Sequence, residues 1–141
     1  MGDYRLGFQS LQEEYSNVEL DVEGTIPDWL DGTLYRNGPG QFEAGGEQLA
    51  HWFDGLAMLR RFAFRDGEVS YSNRFLRTDT YRRTREGGTL DTPTFASSPG
   101  GFLSTARVAL TPTATDNANV NVMCAGETFL ALTETPRYME F

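Results

Sequence analysis

The stretch LAMLRRFAFRDGEVSYSNRFL, at residues 56–76, decides the fold class of this sequence. Two segments in which apolar residues recur at every second position flank Asp66-Gly67. Asp-Gly between such segments is the strongest short-range signal of a β-hairpin. Apolar residues at every second position place their side chains on one face of a strand. That face comprises Leu56, Met58, Phe62 and Phe64 on the first strand, with Arg60 breaking the pattern, and Val69, Tyr71 and Phe75 on the second.

The flanking sequence predicts further short strands and turns. A second hairpin is predicted from residues 120–123 through Ala125-Gly126-Glu127 to residues 129–133, and a short strand over residues 33–36. Residues 37–46 have the composition of a turn, residues 83–104 that of a loop, and residues 7–16 that of one or two helical turns. Short strands with no helical period between them indicate an all-β fold, either a sandwich, a barrel or the blades of a propeller.

The carboxyl-terminal residues 137–141 have the pattern of a strand with no turn and no partner. A domain seldom ends in mid-strand, because unpaired backbone then remains at a sheet edge. We therefore expect residues 1–141 to form a single, incomplete segment of a larger domain.

The charge composition excludes one class of partner. Twenty acidic residues oppose 12 basic residues, all of them Arg, and the net charge is −8 at pH 7. A nucleic-acid binder needs a cationic face for the phosphates, so no nucleic-acid partner is expected. An acidic surface without Lys is typical of adaptation to high salt, and the alternative is a surface that keeps the protein soluble by mutual repulsion.

Cys124 is the only cysteine, which excludes an intrachain disulfide and favours a reducing cytoplasm. Residues 1–5 are not followed by the apolar run of a signal peptide, and no stretch is long and apolar enough to span a bilayer. We expect a cytoplasmic protein that at most lies on a membrane surface.

The residues that could support chemistry are few. His51 and Cys124 are the only members of their residue types, whereas a self-contained transition-metal site needs three or four ligands, so we predict no metal site within the chain. His51 is interpreted as a hydrogen-bonded residue that fixes the turn into the first hairpin, rather than as a catalytic base. The glycines of residues 38–46 lack the Lys and the following helix of a phosphate-binding loop.

Glu134 has the strand parity of Leu130 and Leu132. Two interpretations stay open for its carboxylate. It either ends an inward-facing row of side chains or has left the sheet and reached water. A buried carboxylate is costly unless it is paired or hydrogen-bonded, so the first interpretation requires a partner.

Five stretches of the sequence together resemble the opening segment of carotenoid cleavage oxygenases. They are TIPDWLDGTLYRNGPG (residues 25–40), HWFDGLAML (51–59), NRFLRT (73–78), TDNANVNV (115–122) and LTET (132–135). Each stretch alone is a weak signal, but their shared order makes the set specific. The resemblance covers most of this chain and only the first part of that family's length.

The resemblance implies a seven-bladed β-propeller, of which this amino-terminal segment supplies the opening blades. It also implies an iron(II)-dependent dioxygenase, in which four His hold the iron on the propeller axis and O2 cleaves a double bond of a carotenoid or apocarotenoid into two carbonyl products. None of those four His matches a residue of this chain, so the chain alone is expected to bind no Fe(2+) and to be inactive. His51 matches a position that is not a ligand. Glu134 matches a Glu whose carboxylate accepts a hydrogen bond from the far ring nitrogen of an iron-bound His.

Residues 90–104 resemble a loop through which relatives contact membranes, and Phe95, Phe102 and Leu103 are the candidates for peripheral membrane contact. The alternative is a solvent-facing loop whose aromatic side chains pack inward. Two functional alternatives also stay open. One is a non-catalytic module that binds an apolar isoprenoid or completes a propeller with a second chain. The other is the same fold used to cleave phenylpropanoid double bonds or to isomerise retinoid esters.

Overall fold

The computed structural model describes residues 3–88 and 115–141 of the chain. The strands of these two ranges are β1 (Val18–Leu20), β2 (Gly32–Gln41), β3 (Glu43–Ala44), β4 (Glu47–Gln48), β5 (Leu56–Arg65), β6 (Glu68–Phe75), β7 (Asn121–Ala125), β8 (Thr128–Leu132) and β9 (Tyr138–Glu140). The helices of the same ranges are α1 (Asp79–Arg85) and two short 3-10 helices, Tyr4–Phe8 and Trp52–Asp54. The strands pair antiparallel throughout the described part, so the predicted all-β class is confirmed at the level of mainly antiparallel sheet.

The first sheet contains four strands in the order β1-β6-β5-β2, and its centre is the predicted hairpin. Asp66 and Gly67 form the turn with φ angles of 51° and 80°, a left-handed conformation that suits Gly and is tolerated by Asp. The strand register pairs Phe62 with Tyr71 and Phe64 with Val69. The hairpin over residues 56–76 and its shared apolar face are therefore confirmed.

Strand β2 is longer than its composition predicts, which corrects the interpretation of residues 37–46 as a turn. The strand continues to Gln41 and pairs with β5 along its length, with an irregularity between Pro39 and Gln41. The ladder to β5 outweighs the local turn preference of Gly and Pro. Gly40 is required here, since a Cβ at this position would lie 2.8 Å from the Cβ of Met58. The turn itself is confined to Gly45-Gly46, between β3 and β4.

The second sheet has the order β7-β8-β9. The predicted second hairpin is confirmed as β7 and β8, joined by a turn in which Gly126 has a φ of 67°. The prediction that residues 137–141 have no partner is wrong. Strand β9 pairs with β8 through Leu130 with Glu140 and Leu132 with Tyr138. The sequence predicted a strand correctly but could not show that the chain turns back within five residues.

Two other local predictions also need correction. Residues 83–85, predicted as the start of a loop, are the last residues of α1, whose Tyr81 ring stacks on Phe75 at a centroid distance of 5.3 Å. The helical turns predicted over residues 7–16 occur earlier, because the 3-10 helix ends at Phe8 and the chain then runs extended. In both cases the segment contacts the first sheet, α1 through the ring of Tyr81 and residues 9–16 through the hydrogen bonds that Tyr15 and Asn73 exchange.

The two faces of the first sheet carry separate cores. Alternate residues of β5 point in opposite directions, so Ala57 and Leu59 face one core while Leu56 and Met58 face the other. The core facing the second sheet consists of Ala57, Leu59, Leu76, Ala118 and Ala131, with Val122 and Met139 packed against it. The opposite core consists of Leu56, Met58, Phe75 and Tyr81.

Arg60, which interrupts the apolar pattern of β5, is half-buried in the first sheet. Its Nη2 donates to the carbonyl oxygen of Pro39 at 2.8 Å, so a main-chain acceptor replaces water at the guanidinium. Burial lowers the pKa of this guanidinium from its ordinary value, and Arg36 on the paired strand acts in the same direction, whereas Tyr71 opposes them. The side chain of Arg60 therefore stands in the otherwise apolar row of β5, and its guanidinium keeps a hydrogen-bond partner there.

Candidate functional site

Residues 115–119, here called the hub segment, connect the two sheets through side-chain hydrogen bonds. Asn117 is 3% exposed, and its carboxamide bonds to the backbone at the start of β5. Its Oδ1 accepts from the amide of Ala57 at 2.9 Å, and its Nδ2 donates to the carbonyl oxygen of Gly55 at 2.8 Å. One buried side chain thus satisfies a main-chain donor 60 residues away and a main-chain acceptor 62 residues away.

Asn119 and Asn37 extend this network. The Nδ2 of Asn119 donates to the carbonyl oxygens of Phe53, at 2.9 Å, and of Gly55, at 2.8 Å. From the first sheet, the Nδ2 of Asn37 donates back to the carbonyl oxygen of Ala118 at 2.6 Å. The hub segment is therefore held both to the turn before β5 and to strand β2.

Asp116 joins the hub segment to α1. Its carboxylate accepts from the amides of Asp79, at 2.7 Å, and Thr80, at 3.2 Å, and also from the hydroxyl of Thr80. A carboxylate that accepts from the first amides of a helix satisfies donors that have no partner within the helix. Its negative charge also interacts favourably with the helix dipole. The hub segment thus fixes the position of α1 as well.

Glu134 lies in the loop of residues 133–137, after the end of β8. Its side chain is exposed, and within residues 3–88 and 115–141 its carboxylate makes no hydrogen bond or ion pair. The strand has already ended at Leu132, so the alternation that relates Glu134 to Leu130 does not continue to this position. Of the two interpretations of the Glu134 carboxylate, the end of an inward-facing row or a group that has left the sheet, the structure agrees with the second.

The loop that carries Glu134 is tied to the hub segment by the next residue. The hydroxyl of Thr135 donates to the carbonyl oxygen of Thr115 at 3.1 Å and accepts from the amide of Arg137 at 3.3 Å. Within the hub segment, the amide of Asn117 donates to the Oγ1 of Thr115 at 3.1 Å. A continuous set of hydrogen bonds therefore runs from the loop to Asn117 and on to β5.

His51 has the role in the turn that the sequence predicted. Its Nδ1 accepts from the amide of Phe53 at 3.3 Å and caps the 3-10 helix Trp52–Asp54. The capped turn is the one to which Asn119 and Asn117 bind, and it leads directly into β5. Asp54, at the end of this turn, is fully buried.

The described residues contain no group of three or more potential ligands close enough to hold a metal ion. Cys124 is exposed, and its Sγ donates to the carbonyl oxygen of Gly126 at 3.3 Å. Within the same ranges, no helix is long and apolar enough to cross a membrane. Phe95, Phe102 and Leu103, predicted to contact membranes, lie outside the described residues.

A cleft of about 320 Å³ lies where β9 meets the first sheet. Its apolar lining residues are Tyr35, Leu59, Phe75, Leu76, Met139 and Phe141. The rings of Tyr35 and Phe141 are in contact, with their centroids 5.7 Å apart. Arg61, Arg74, Arg77 and Glu140 also line the cleft, but most of its surface is apolar, as an isoprenoid ligand requires.

Sequence reasoning identified Glu134, but it missed the role of the hub segment. Residues 115–122 were recognised only as a motif, because the partners of Asn117, Asn119 and Asp116 lie 36 to 66 residues earlier in the chain. The run of Asn and Asp was the available signal, since amide and carboxylate side chains often bind nearby backbone. That signal does not identify which backbone is bound.

Comparison with known proteins adds the family relationship. Residues 8–141 match the family described as retinal pigment epithelial membrane protein. The β,β-carotene 15,15′-dioxygenase of Mus musculus is 41% identical over 135 residues, which are 90% of this chain and 24% of that protein. The human protein of the same name is 41% identical over 132 residues, 88% of this chain and 24% of that protein.

A solved structure is similar over nearly the whole chain. Cobalt-substituted Synechocystis apocarotenoid oxygenase is 38% identical, with a TM-score of 0.87, and the match covers 97% of this chain and 29% of that one. The chain therefore spans about a quarter of the length of the curated relatives it matches.

Proposed function

This chain belongs to the retinal pigment epithelial membrane protein family, and we propose that it is the amino-terminal part of an iron(II)-dependent carotenoid or apocarotenoid cleavage dioxygenase. The observation that carries the proposal is the match over residues 8–141, together with identity of about 40% to two β,β-carotene 15,15′-dioxygenases. In the proposed architecture the two sheets are opening blades of a seven-bladed propeller, and the hub segment joins one blade to the next.

The proposed reaction is the O2-dependent cleavage of one polyene double bond. The C=C and O–O bonds break, each of the two carbons gains one oxygen atom, and two carbonyl compounds form. Bound iron(II) supplies the activation of O2 in such an enzyme. The polyene would be held by an apolar tunnel, to which this chain contributes only a part.

In this proposal, residues 3–88 and 115–141 do not supply an iron site by themselves. His51 is the only His, and it caps a turn, while no cluster of other ligands exists in the described ranges. We propose that the four His ligands belong to sequence beyond the 141 residues. No chemical step is assigned to iron within this chain.

Glu134 is the residue through which this chain would act on the iron centre. Its exposed carboxylate is available to accept a hydrogen bond from the far ring nitrogen of an iron-bound His. Such an acceptor fixes the tautomer and orientation of the imidazole and makes it more basic. Its loss typically lowers metal affinity or activity by about 10–100-fold.

Determining the coding sequence past codon 141 tests the proposal first. We expect the reading frame to continue and to encode four further His distributed along the remaining blades. The encoded protein should bind about one iron per chain and convert a carotenoid or apocarotenoid to carbonyl products only when O2 is present. A stop codon after Phe141, or a longer protein that isomerises retinoid esters or cleaves phenylpropanoids instead, would contradict it.

A second candidate function is supported by the apolar cleft beside β9. A non-catalytic module that binds an isoprenoid, or that completes a propeller with a second chain, would need this surface but no metal. It requires the 141-residue chain to be stable in cells. Rapid proteolysis of the chain in the absence of a partner would exclude this function, because open sheet edges are then unprotected.

Contact with a membrane surface from the cytoplasmic side is also part of the proposal. Phe95, Phe102 and Leu103 supply apolar side chains for it, and carotenoid substrates dissolve in the bilayer. The net charge of −8 favours neutral over anionic lipid. Flotation with phosphatidylcholine vesicles should carry the protein upward, and replacement of all three residues by Ser should abolish this.

A further inference from the structure

The side chain of Glu134 has no restraint of its own in the described part of the chain. It forms no hydrogen bond or ion pair there, so the position of its carboxylate depends on the backbone of the loop of residues 133–137. That loop leaves β8 after Leu132 and enters β9 at Tyr138. The hydroxyl of Thr135 is the side-chain group that anchors its middle.

Thr135 makes two hydrogen bonds that together fix its own rotamer and the loop. Its hydroxyl donates to the carbonyl oxygen of Thr115 at 3.1 Å and accepts from the amide of Arg137 at 3.3 Å. Because one hydroxyl is both donor and acceptor here, rotation about its side-chain bond would break one or both contacts. The backbone that follows Glu134, from Thr135 to Arg137, is therefore held relative to Thr115.

Thr115 is itself hydrogen-bonded within the hub segment. It accepts from the amide of Asn117 through its Oγ1, and the buried carboxamide of Asn117 bonds to Gly55 and Ala57. Asp116 adds the connection to α1. The loop of residues 133–137 is therefore connected through the hub segment to the first sheet.

We propose that Thr135 is a positioning residue for Glu134, acting through the main-chain carbonyl of Thr115. This inference rests on the proposed function, in which the Glu134 carboxylate accepts a hydrogen bond from a metal-bound His. A metal site requires its supporting groups within about 0.5 Å of the productive geometry. Thr135 would set that geometry through the backbone of the loop, by its hydrogen bonds to Thr115 and Arg137.

The first experiment measures the loop in the 141-residue chain by amide hydrogen exchange. Thr135→Val keeps the shape and removes both hydrogen bonds, whereas Thr135→Ser keeps the hydroxyl. The amide of Arg137 should exchange about 2- to 10-fold faster in Thr135→Val, the factor expected for loss of one hydrogen bond, and at the original rate in Thr135→Ser. Unchanged exchange in Thr135→Val would overturn the proposal.

Thr133→Val is the matched control, since Thr133 lies in the same loop and its hydroxyl forms no hydrogen bond within the described ranges. It should leave the exchange of Arg137 unchanged. An equal acceleration in Thr133→Val and Thr135→Val would overturn the specific role of the Thr135 hydroxyl.

The second experiment measures cobalt(II) affinity in the longer protein encoded by the extended reading frame. Thr135→Val should weaken binding by about 2- to 10-fold, while Thr135→Ser and Thr133→Val should not. Melting temperatures of the variants, measured without metal, distinguish weakened binding from general destabilisation. Equal cobalt affinity in Thr135→Val and Thr133→Val would overturn the proposal.

Glu134→Gln separates this inference from the function on which it rests. If cobalt affinity falls in Glu134→Gln but is unchanged in Thr135→Val, only the positioning role of Thr135 is contradicted, and the role of Glu134 stands. Unchanged affinity in Glu134→Gln contradicts the proposed role of Glu134 itself. Weakening in both, with rescue by Thr135→Ser, is the expected result.

Discussion

The carboxamide of Asn117 acts as a substitute for a peptide unit. It presents a donor and an acceptor in the same plane, and these match the carbonyl of Gly55 and the amide of Ala57 at 2.8 and 2.9 Å. A strand neighbour would satisfy these backbone groups in an ordinary sheet. Here a side chain from a distant segment does so, which makes its chemical identity critical.

Asn117→Asp tests this dependence with almost no change in shape. An ionised Asp has two acceptors and no donor, so the carbonyl of Gly55 loses one of its two side-chain donors, keeps the Nδ2 of Asn119, and faces a buried negative charge. The loss of this hydrogen bond alone should lower the free energy of unfolding by about 0.5–1.5 kcal/mol, measured by urea denaturation, and the buried charge adds to the loss. Asn121→Asp is the control. Asn121 is exposed and uses only its Oδ1, on the amide of Val122, so its replacement should have little effect. Equal losses in both variants would contradict the role assigned to Asn117.

The pairing of β2 with β5 defines the first sheet at the level of elements. The two strands pair from Gly32 with Phe64 to Gln41 with Leu56. Their close approach near Gly40 leaves no room for a side chain, since an added Cβ would lie 2.8 Å from the Cβ of Met58. The ring of Phe75 on β6 lies 3.0 Å from the same point. Three strands therefore meet at this glycine.

Gly40→Ala should destabilise the first sheet because the added methyl group overlaps the buried side chain of Met58. Overpacking of this kind costs about 1–3 kcal/mol, which thermal or urea unfolding measures directly. Gly7→Ala provides the matched control, because no atom lies within 4 Å of an added Cβ there. An unchanged free energy of unfolding in Gly40→Ala would mean that β2 can shift away from β5 without loss of stability.

The electrostatic balance belongs to the scale of the whole molecule. The net charge is −8, and the ion pairs of the described ranges are surface pairs, Arg5 with Asp3, Arg77 with Glu14 and Arg82 with Asp79. Surface pairs of this kind contribute little to stability. Repulsion among the acidic side chains therefore outweighs the attraction within the ion pairs, and added salt should screen more repulsion than attraction.

The melting temperature should consequently rise with potassium chloride. Between about 0.1 and 1 M salt the Debye length falls from about 10 to 3 Å, which removes most repulsion between surface carboxylates. Differential scanning calorimetry over this range measures the effect. A melting temperature that falls with added chloride would contradict the interpretation of the acidic, Lys-free surface as an adaptation to high salt.

Under the proposed function, iron binding likewise belongs to the whole propeller rather than to these 141 residues. The 141-residue chain has one His and one Cys, too few for a strong transition-metal site. After incubation with iron(II) under anaerobic conditions and gel filtration, metal analysis should find far less than one iron per chain. Iron close to one atom per molecule would contradict the proposal that the ligands lie in sequence beyond Phe141.

Local chemistry made several features predictable from the sequence. Asp66-Gly67 and Gly126 mark their turns because few other residues adopt positive φ, and alternation identifies the apolar face of each hairpin. His51 was recognised as a turn residue because its partner, the amide of Phe53, is two residues away. In each case the determining interaction lies within a few residues of the signal.

The sequence by itself therefore determined the family, the hairpins and the candidate Glu134. Only the tertiary structure decided the extension of β2 to Gln41, the pairing of β9 with β8, the helix α1 and the position of the Glu134 loop. Each of these depends on hydrogen bonds or packing whose partner the local pattern does not identify, such as Thr135 with Thr115 or Asn117 with Ala57. Backbone groups accept any partner of suitable geometry, so the choice is made by the packing of the whole chain.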